Sequence, residues 1–299
     1  MARRHLLMLL ALAAIWGASF MFIKVAAREL SPSAVVTGRV LLGTLGLLPA
    51  VPFVLGWSRT WTELRRHAGP LLLMGILNAA VPFWSLTWSE QHIDSGLAAV
   101  LQASTPLFTA LLAFGFSSSD RIGGWRLVGV LVGFVGVALL VGAQPHGHIL
   151  AALAILLTAL CYSMAALYAG RRLREVHPFV ISLGSLTAAS AISLPFGLAQ
   201  LPSEVPSWRA IASVVALGIA GLSVAYVLYF ALIVGPGASY AVLVTYLVPA
   251  LALGYGAIFL SEKITASAIG GLVLILAGVA LGTGTIRLRR RREALGHAP

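Results

Sequence analysis

Of the twenty basic residues, nine acids and seven histidines in this chain, only two fall inside long apolar stretches: Lys24 and Arg39. A guanidinium is effectively always protonated, and an unpaired charge out of water costs several kcal/mol after relaxation. Arg39 must therefore face water, backbone carbonyls, a partner on another helix or the anionic group of a ligand. Lys24 lies about 5 Å from the end of its stretch and Arg39 about 9 Å, at about 1.5 Å per residue. Lys24 can therefore snorkel to the interface, or join Arg39 in attracting a substrate carboxylate. The other polar and aromatic residues within apolar stretches complete the candidate substrate-binding set: Trp16, Ser19, Asn78, Gln102, Tyr162, Tyr226 and Tyr246, with Trp84, Tyr229 and Thr245 beside them. An unpaired amide is costly in an apolar medium, so Asn78 and Gln102 bind either a ligand or a neighbouring helix. Every Asp, Glu and His maps to connections or termini. Buried carboxylates and histidines are the usual proton relays, so were the chain a transporter, their absence would favour facilitated transport or exchange. Glu90, His92 and Asp94 share one connection and His146 pairs with His148 in another, but neither group has a defined ligand geometry. No metal and no cofactor is expected, and no nucleophile–base pair or phosphate-binding glycine loop is present.

These residues need elements to hold them, and composition says which. Hydrophobic residues make up 59% of the 299 and charged residues 10%, with a mean hydropathy of +0.96. Soluble domains carry about 25% charged residues, so there is too little polar surface here and the lipid bilayer must be the solvent. Spans need about 20 mainly apolar residues, and ten segments qualify: 6–27, 33–55, 70–88, 95–117, 125–142, 149–169, 179–199, 209–233, 239–260 and 265–285. None alternates as a barrel strand does. The first resembles a signal peptide behind Arg3 and Arg4, but it continues to Ala27 and reads as an uncleaved helix. Trp57, Trp61, Trp88 and Trp208 sit near segment ends as interface anchors. A net charge of +11 does not imply nucleic acid, because the cations form short clusters between apolar runs. Cys161 is the single cysteine, so no internal disulfide can form.

Lysine and arginine placement sets the orientation. With a cytoplasmic N-terminus, fifteen fall inside, including Arg59, Arg65, Arg66, Arg121, Arg126, Arg171, Arg172, Arg174 and the tail Arg287 and Arg289 to Arg292. Only Arg28, Arg209 and Lys263 fall outside. The chain is therefore expected to be all-α, with ten transmembrane helices and both termini cytoplasmic. It also repeats. Asp120-Arg121-Ile122 matches Glu262-Lys263-Ile264, Gly129 matches Gly271, and Gly136-Val137-Ala138-Leu139 matches Gly278-Val279-Ala280-Leu281. Pro106 and Pro249 occupy equivalent mid-helix positions as candidate hinges or kinks, and Pro32 and Pro178 each open the second helix of a half. Residues 1–144 and 145–286 form the two halves, with 287–299 as a basic cytoplasmic tail. Five helices per half is an odd number, so the repeats are inverted, the arrangement that underlies alternating access.

These residues resemble the drug/metabolite transporter superfamily, EamA type, over essentially the whole chain. The resemblance rests on Trp16-Gly17-Ala18-Ser19-Phe20, Lys24 and Arg39. It continues through Ser95-Gly96-Leu97-Ala98-Ala99-Val100-Leu101, Thr105-Pro106-Leu107-Phe108-Thr109, and Ser261-Glu262-Lys263-Ile264. Ser118-Ser119-Asp120-Arg121 departs from the family's usual Gly-Glu-Arg turn. The resemblance implies a ten-helix fold in the inner membrane and efflux or exchange of amino acids or related small metabolites. An uptake permease shares that architecture. A membrane enzyme would cluster polar groups at one interface, and a scaffold would not need the mid-membrane polar residues. The expected partners are a small-molecule substrate and the lipid bilayer, with nucleic acid excluded; the sequence is silent on oligomeric state.

Overall fold

The computed structural model describes residues 3–116, 125–142 and 148–282. The Asp120-Arg121 turn, Gln144-Pro145, His146 and the basic tail lie outside the described residues. Within them every regular element is a helix. Seven helices are long and apolar enough to cross a membrane: α1 (Arg3–Ala26), α2 (Pro32–Val54), α3 (Ala68–Glu90), α4 (Ser95–Ala113), α6 (Ile149–Arg172), α7 (Pro178–Ala199) and α8 (Trp208–Leu232). Three apolar helices are shorter: α5 (Trp125–Gly142), α9 (Val244–Leu260) and α10 (Ala266–Gly282). Local chemistry sets their starts. Pro32 and Pro178 fill first-turn positions where no N–H is needed. Ser31 Oγ accepts from the Ala34 N–H at 3.2 Å, and Ser207 Oγ caps α8 by accepting from Ala210. The loop between α2 and α3 carries a short amphipathic helix, Trp57–Arg66, whose Trp57 and Trp61 are exposed, with the Arg65 guanidinium 4.5 Å above the Trp61 ring.

The helix contacts have a symmetry. The pairs α1–α9 and α6–α4 exchange when α1–α5 is swapped with α6–α10; so do α2–α8 and α7–α3, and α1–α8 and α6–α3. The pairs α2–α7, α4–α9 and α5–α10 map onto themselves. The repeated glycines find their use here. A Cβ on Gly278 would lie 2.5 Å from the Gly133 Cα, and one on Gly136 would meet Leu274 and the Gly271 carbonyl. The small residues let the α5 and α10 backbones touch, as interfaces without a hydrophobic driving force require.

Two equivalent helices depart from ideal geometry at equivalent places. Residues Ile76–Ala80 of α3 and Ala216–Val224 of α8 are π-helical. In α3 the cause is visible: Pro82 has no N–H to offer the Asn78 carbonyl. In α8 the segment holds Gly218 and Gly221, and Ser223 Oγ donates across it to the Gly218 and Gly43 carbonyls at 3.3 and 3.0 Å. The expected hinges differ from one another. Pro106 follows a break at Ala103–Ser104, where the Ser104 and Thr105 hydroxyls donate to the Leu101 and Gln102 carbonyls. Pro249 lies inside an unbroken α9, and the corresponding break falls earlier, at Val242–Leu243.

One acid departs from the expectation that spans hold none. α3 runs two residues beyond the predicted 70–88, and its last residue, Glu90, is 0% exposed.

Candidate functional site

The helices enclose a cavity of about 810 Å³. Its closed end lies among Ile23 of α1, Leu86 of α3 and Ala99 of α4; its other end reaches Ala113, Ser182, Phe230, Val242 and Gly282, at the opposite ends of their helices. Trp16, Ser19, Arg39, Asn78, Gln102, Tyr162, Tyr226, Pro106 and Pro249 all line it.

Arg39 is the chemical centre. It is 5% exposed, its guanidinium carbon sits 3.8 Å from the Phe83 ring centroid, and its Nε and Nη1 have no hydrogen-bond partner. A ring face offers a cation about 0.5–2 kcal/mol, well short of the cost of an unpaired buried charge. Two guanidinium nitrogens thus remain buried without an acceptor, on a residue that lines the cavity. Tyr162 and Tyr226 pack against the same apolar cluster as Phe83, and Asn78 reaches the Tyr226 hydroxyl from the π-helical turn of α3. Gln102, in the last turn before the α4 break, lines the cavity and keeps its Oε1 buried and unpartnered. Trp16 donates from Nε1 to the Gly221 carbonyl at 3.1 Å, within the π-helical segment of α8, and its ring lies 5.5 Å from that of Tyr229. Ser19 is already engaged by the Ile15 carbonyl at 3.0 Å. The resulting site has a cation over an aromatic face, two amides and several phenols.

Two candidates lie elsewhere. Tyr246 does not line the cavity but packs against the core between α1, α4 and α9. Lys24 is also outside the lining. Its ammonium donates to the Glu90 carbonyl at 2.5 Å and the Ile93 carbonyl at 2.8 Å, clamping α1 to the turn between α3 and α4. Neither snorkelling nor substrate binding describes it. Trp84 is exposed and stacks on Trp88.

Further clamps sit beside Lys24, beyond the closed end of the cavity. Gln91 Nε2 donates to the Ala27 carbonyl at 3.1 Å. The Glu262 carboxylate accepts from the Ser95 N–H and Oγ, each at 2.9 Å, and from the Gly96 N–H at 3.1 Å, capping α4 from the α9–α10 connection. Asp94 sits beside this cap, and burial followed by the Glu262 charge pushes its carboxyl above the usual range. Glu29 accepts from the Ser207 N–H and Oγ at 2.7 and 2.6 Å, and these bonds hold its carboxyl below the usual range.

Residues that sequence reasoning passed over include Phe83, Thr105, Thr109 and Ser182. Phe83 and the hydroxyls resemble dozens of others by type, so no signal marked them. Glu90 could have been found by allowing α3 two more residues.

Comparison with known proteins agrees with this architecture. A solved crystal structure superposes with a TM-score of 0.65 over 95% of this chain and 98% of its own, at 20% identity, which establishes a shared fold. A probable amino-acid metabolite efflux pump of Salmonella typhimurium is 29% identical over 99% of this chain and 100% of its own. The inner membrane transporter YedA of Escherichia coli K12 is 28% identical over 92% and 90%. The EamA-like transporter family model matches twice, over residues 3–142 and 149–283, once for each group of five helices, and the chain belongs to that family of membrane transporters.

Proposed function

We propose that the chain exports or exchanges amino acids or related carboxylate-bearing metabolites across the inner membrane by alternating access. In this reading ten helices cross the membrane with both termini cytoplasmic, residues 1–144 and 145–286 are inverted repeats, and 287–299 is a cytoplasmic tail. The cavity then faces the cytoplasm, and the Lys24, Gln91 and Glu262 clamps close it to the outside. The observation that carries the reading is Arg39, with two unpartnered nitrogens beside an 810 Å³ cavity lined by aromatic and amide side chains. The efflux-pump names of two relatives, 29% and 26% identical, point to the same substrate class. A membrane enzyme has less support, since the family is one of transporters. Uptake rather than export uses the same geometry and differs only in the direction of net flux.

The test is counterflow by purified protein in liposomes against a panel of amino acids, nucleosides and sugars. Arg39→Gln is expected to weaken affinity for a carboxylate substrate by at least about tenfold, as loss of a charge-assisted hydrogen bond of about 1.5–3 kcal/mol implies. Arg39→Lys keeps the charge but not the bidentate fork, and is expected to retain part of the binding. An inserted Arg39→Gln protein with unchanged affinity for a carboxylate substrate overturns the assignment.

A further inference from the structure

We propose that Glu90 is a proton-binding site in the roof of the cavity, and that closing and opening of that roof is coupled to loading and unloading this carboxyl group. The proposal rests on the transporter reading above and adds a coupling ion to it. Glu90 is the last residue of α3, one helical turn beyond Leu86, which lines the closed end of the cavity. It is fully buried, and both carboxyl oxygens are without a hydrogen-bond partner. Buried charges are normally paired and buried polar groups bonded. A buried group that is neither calls for an explanation, and a change of partner or protonation supplies one.

The surroundings supply that partner. From α1 comes Lys24, whose ammonium binds the backbone carbonyls of Glu90 and Ile93 and leaves the carboxyl oxygens unpaired, and whose backbone amide also faces that carboxyl group. From α2 comes Arg39, and across α4 from the α9–α10 connection comes Glu262, held by its own three bonds to Ser95 and Gly96. Asp94 follows in the same turn as Ile93, faced by His148 at the start of α6. The Val81–Glu90 segment also packs on α6, whose charged side chains, Arg171 and Arg172, lie at the far end of that helix, and on α4, which contains none. A neutral carboxyl group leaves Lys24 on the two carbonyls and the roof shut. Loss of the proton to water creates a carboxylate next to that ammonium, draws Lys24 off the Ile93 carbonyl and loosens α1 from the α3–α4 turn. Reprotonation reverses the step, and one proton is the only species exchanged. The charge of Arg39 is felt at Glu90, so an anion that neutralises Arg39 favours the protonated form. By reciprocity, protonation favours the anion.

Two measurements test this. In lipid nanodiscs, pH-difference infrared spectra of the wild type are expected to contain a protonated-carboxyl band that Glu90→Gln lacks and Asp94→Asn retains. Identical spectra for wild type and Glu90→Gln overturn the proposal. Should Glu90→Gln fail to fold, Glu90→Asp still ionises and is expected to shift the band. In liposomes, counterflow of L-threonine and L-phenylalanine is followed against pH. The wild-type rate is expected to change by up to about tenfold per pH unit where one proton titrates, and the Glu90→Gln rate to be flat across that limb. A Glu90→Gln profile of wild-type shape, lowered by one factor at every pH, makes Glu90 structural and overturns the proposal. If neither amino acid moves, the substrate reading fails, and the infrared band still decides Glu90.

Discussion

Glu262→Ala removes a carboxylate that accepts three hydrogen bonds from the first turn of α4, at 2.9, 2.9 and 3.1 Å. Bonds to a charged acceptor contribute about 1.5–3 kcal/mol each, and negative charge at a helix N-terminus adds about 0.3–1 kcal/mol. Glu262 is only half-buried, so water replaces part of what is lost, and the expected cost is about 2–4 kcal/mol. The surrounding backbone is shaped for this contact. Ser261 is left-handed at φ 58°, the Glu262 N–H donates to the Gly256 carbonyl, and a Cβ at Gly256 would overlap the Glu262 carboxylate. Glu262→Gln is expected to cost nearly as much, because one acceptor oxygen becomes an amide that opposes a backbone N–H. Unfolding in mixed micelles, followed by circular dichroism, gives both values. A cycle with Ser95→Ala isolates the side-chain bond: Ser95→Ala is expected to cost about 1 kcal/mol in the wild type and almost nothing beside Glu262→Ala. A Glu262→Ala protein within about 0.5 kcal/mol of wild type, or equal Ser95→Ala costs in both backgrounds, refutes the capping argument.

Two further outcomes follow from the helix packing and from the Glu29–Ser207 contact. Gly278→Ala pushes a methyl into the Gly133 backbone, so it is expected to destabilise by about 1–3 kcal/mol, whereas Gly270→Ala, whose Cβ would meet only Leu139 at 3.8 Å, is expected to be neutral or mildly stabilising. Equal effects of the two in the same micelle assay would count against the α5–α10 contact. Glu29 binds its proton less tightly folded than unfolded, so its bonds to Ser207 contribute fully above the ordinary glutamate pKa and fade as pH falls through the lower folded value. The wild type is therefore expected to lose more melting temperature than Glu29→Gln between about pH 5 and pH 3, and parallel melting curves would contradict this.

What the sequence disclosed follows a physical boundary. Within a span, a polar side chain is rare and expensive, so Arg39, Asn78, Gln102 and Trp16 stood out, and all four line the cavity. Direction was harder to read. Tyr229 lines the cavity and Tyr246 does not, though both are tyrosines in apolar helices. A helix that is apolar on every side gives no amphipathic stripe from which to tell its faces apart. Lys24 shows the same limit: its position was legible, but not the two carbonyls, 66 and 69 residues away, that hold it. Glu90 fell outside because hydropathy ends a span at the first acid, whereas the backbone ends it where hydrogen bonding stops. The two rules differ by the two residues that matter for a buried carboxyl group.

The repeat was legible as a pattern, but its mechanical content was not. Gly129, Gly136, Gly271 and Gly278 first read as marks of duplication; in three dimensions they are the surface along which α5 and α10 meet. The helices that frame the cavity are built differently. α3 and α8 carry π-helical turns at equivalent heights, and α4 is interrupted beside Pro106. Irregular backbone at membrane depth is tolerated where protein or a water-filled cavity satisfies it, and here Trp16, Ser223 and Thr105 do so. A close-packed glycine seam on one side and interrupted helices around the cavity divide the molecule into a part that resists deformation and a part that can bend. Substitutions in the seam should therefore register as stability, and those around Arg39 and Glu90 as transport.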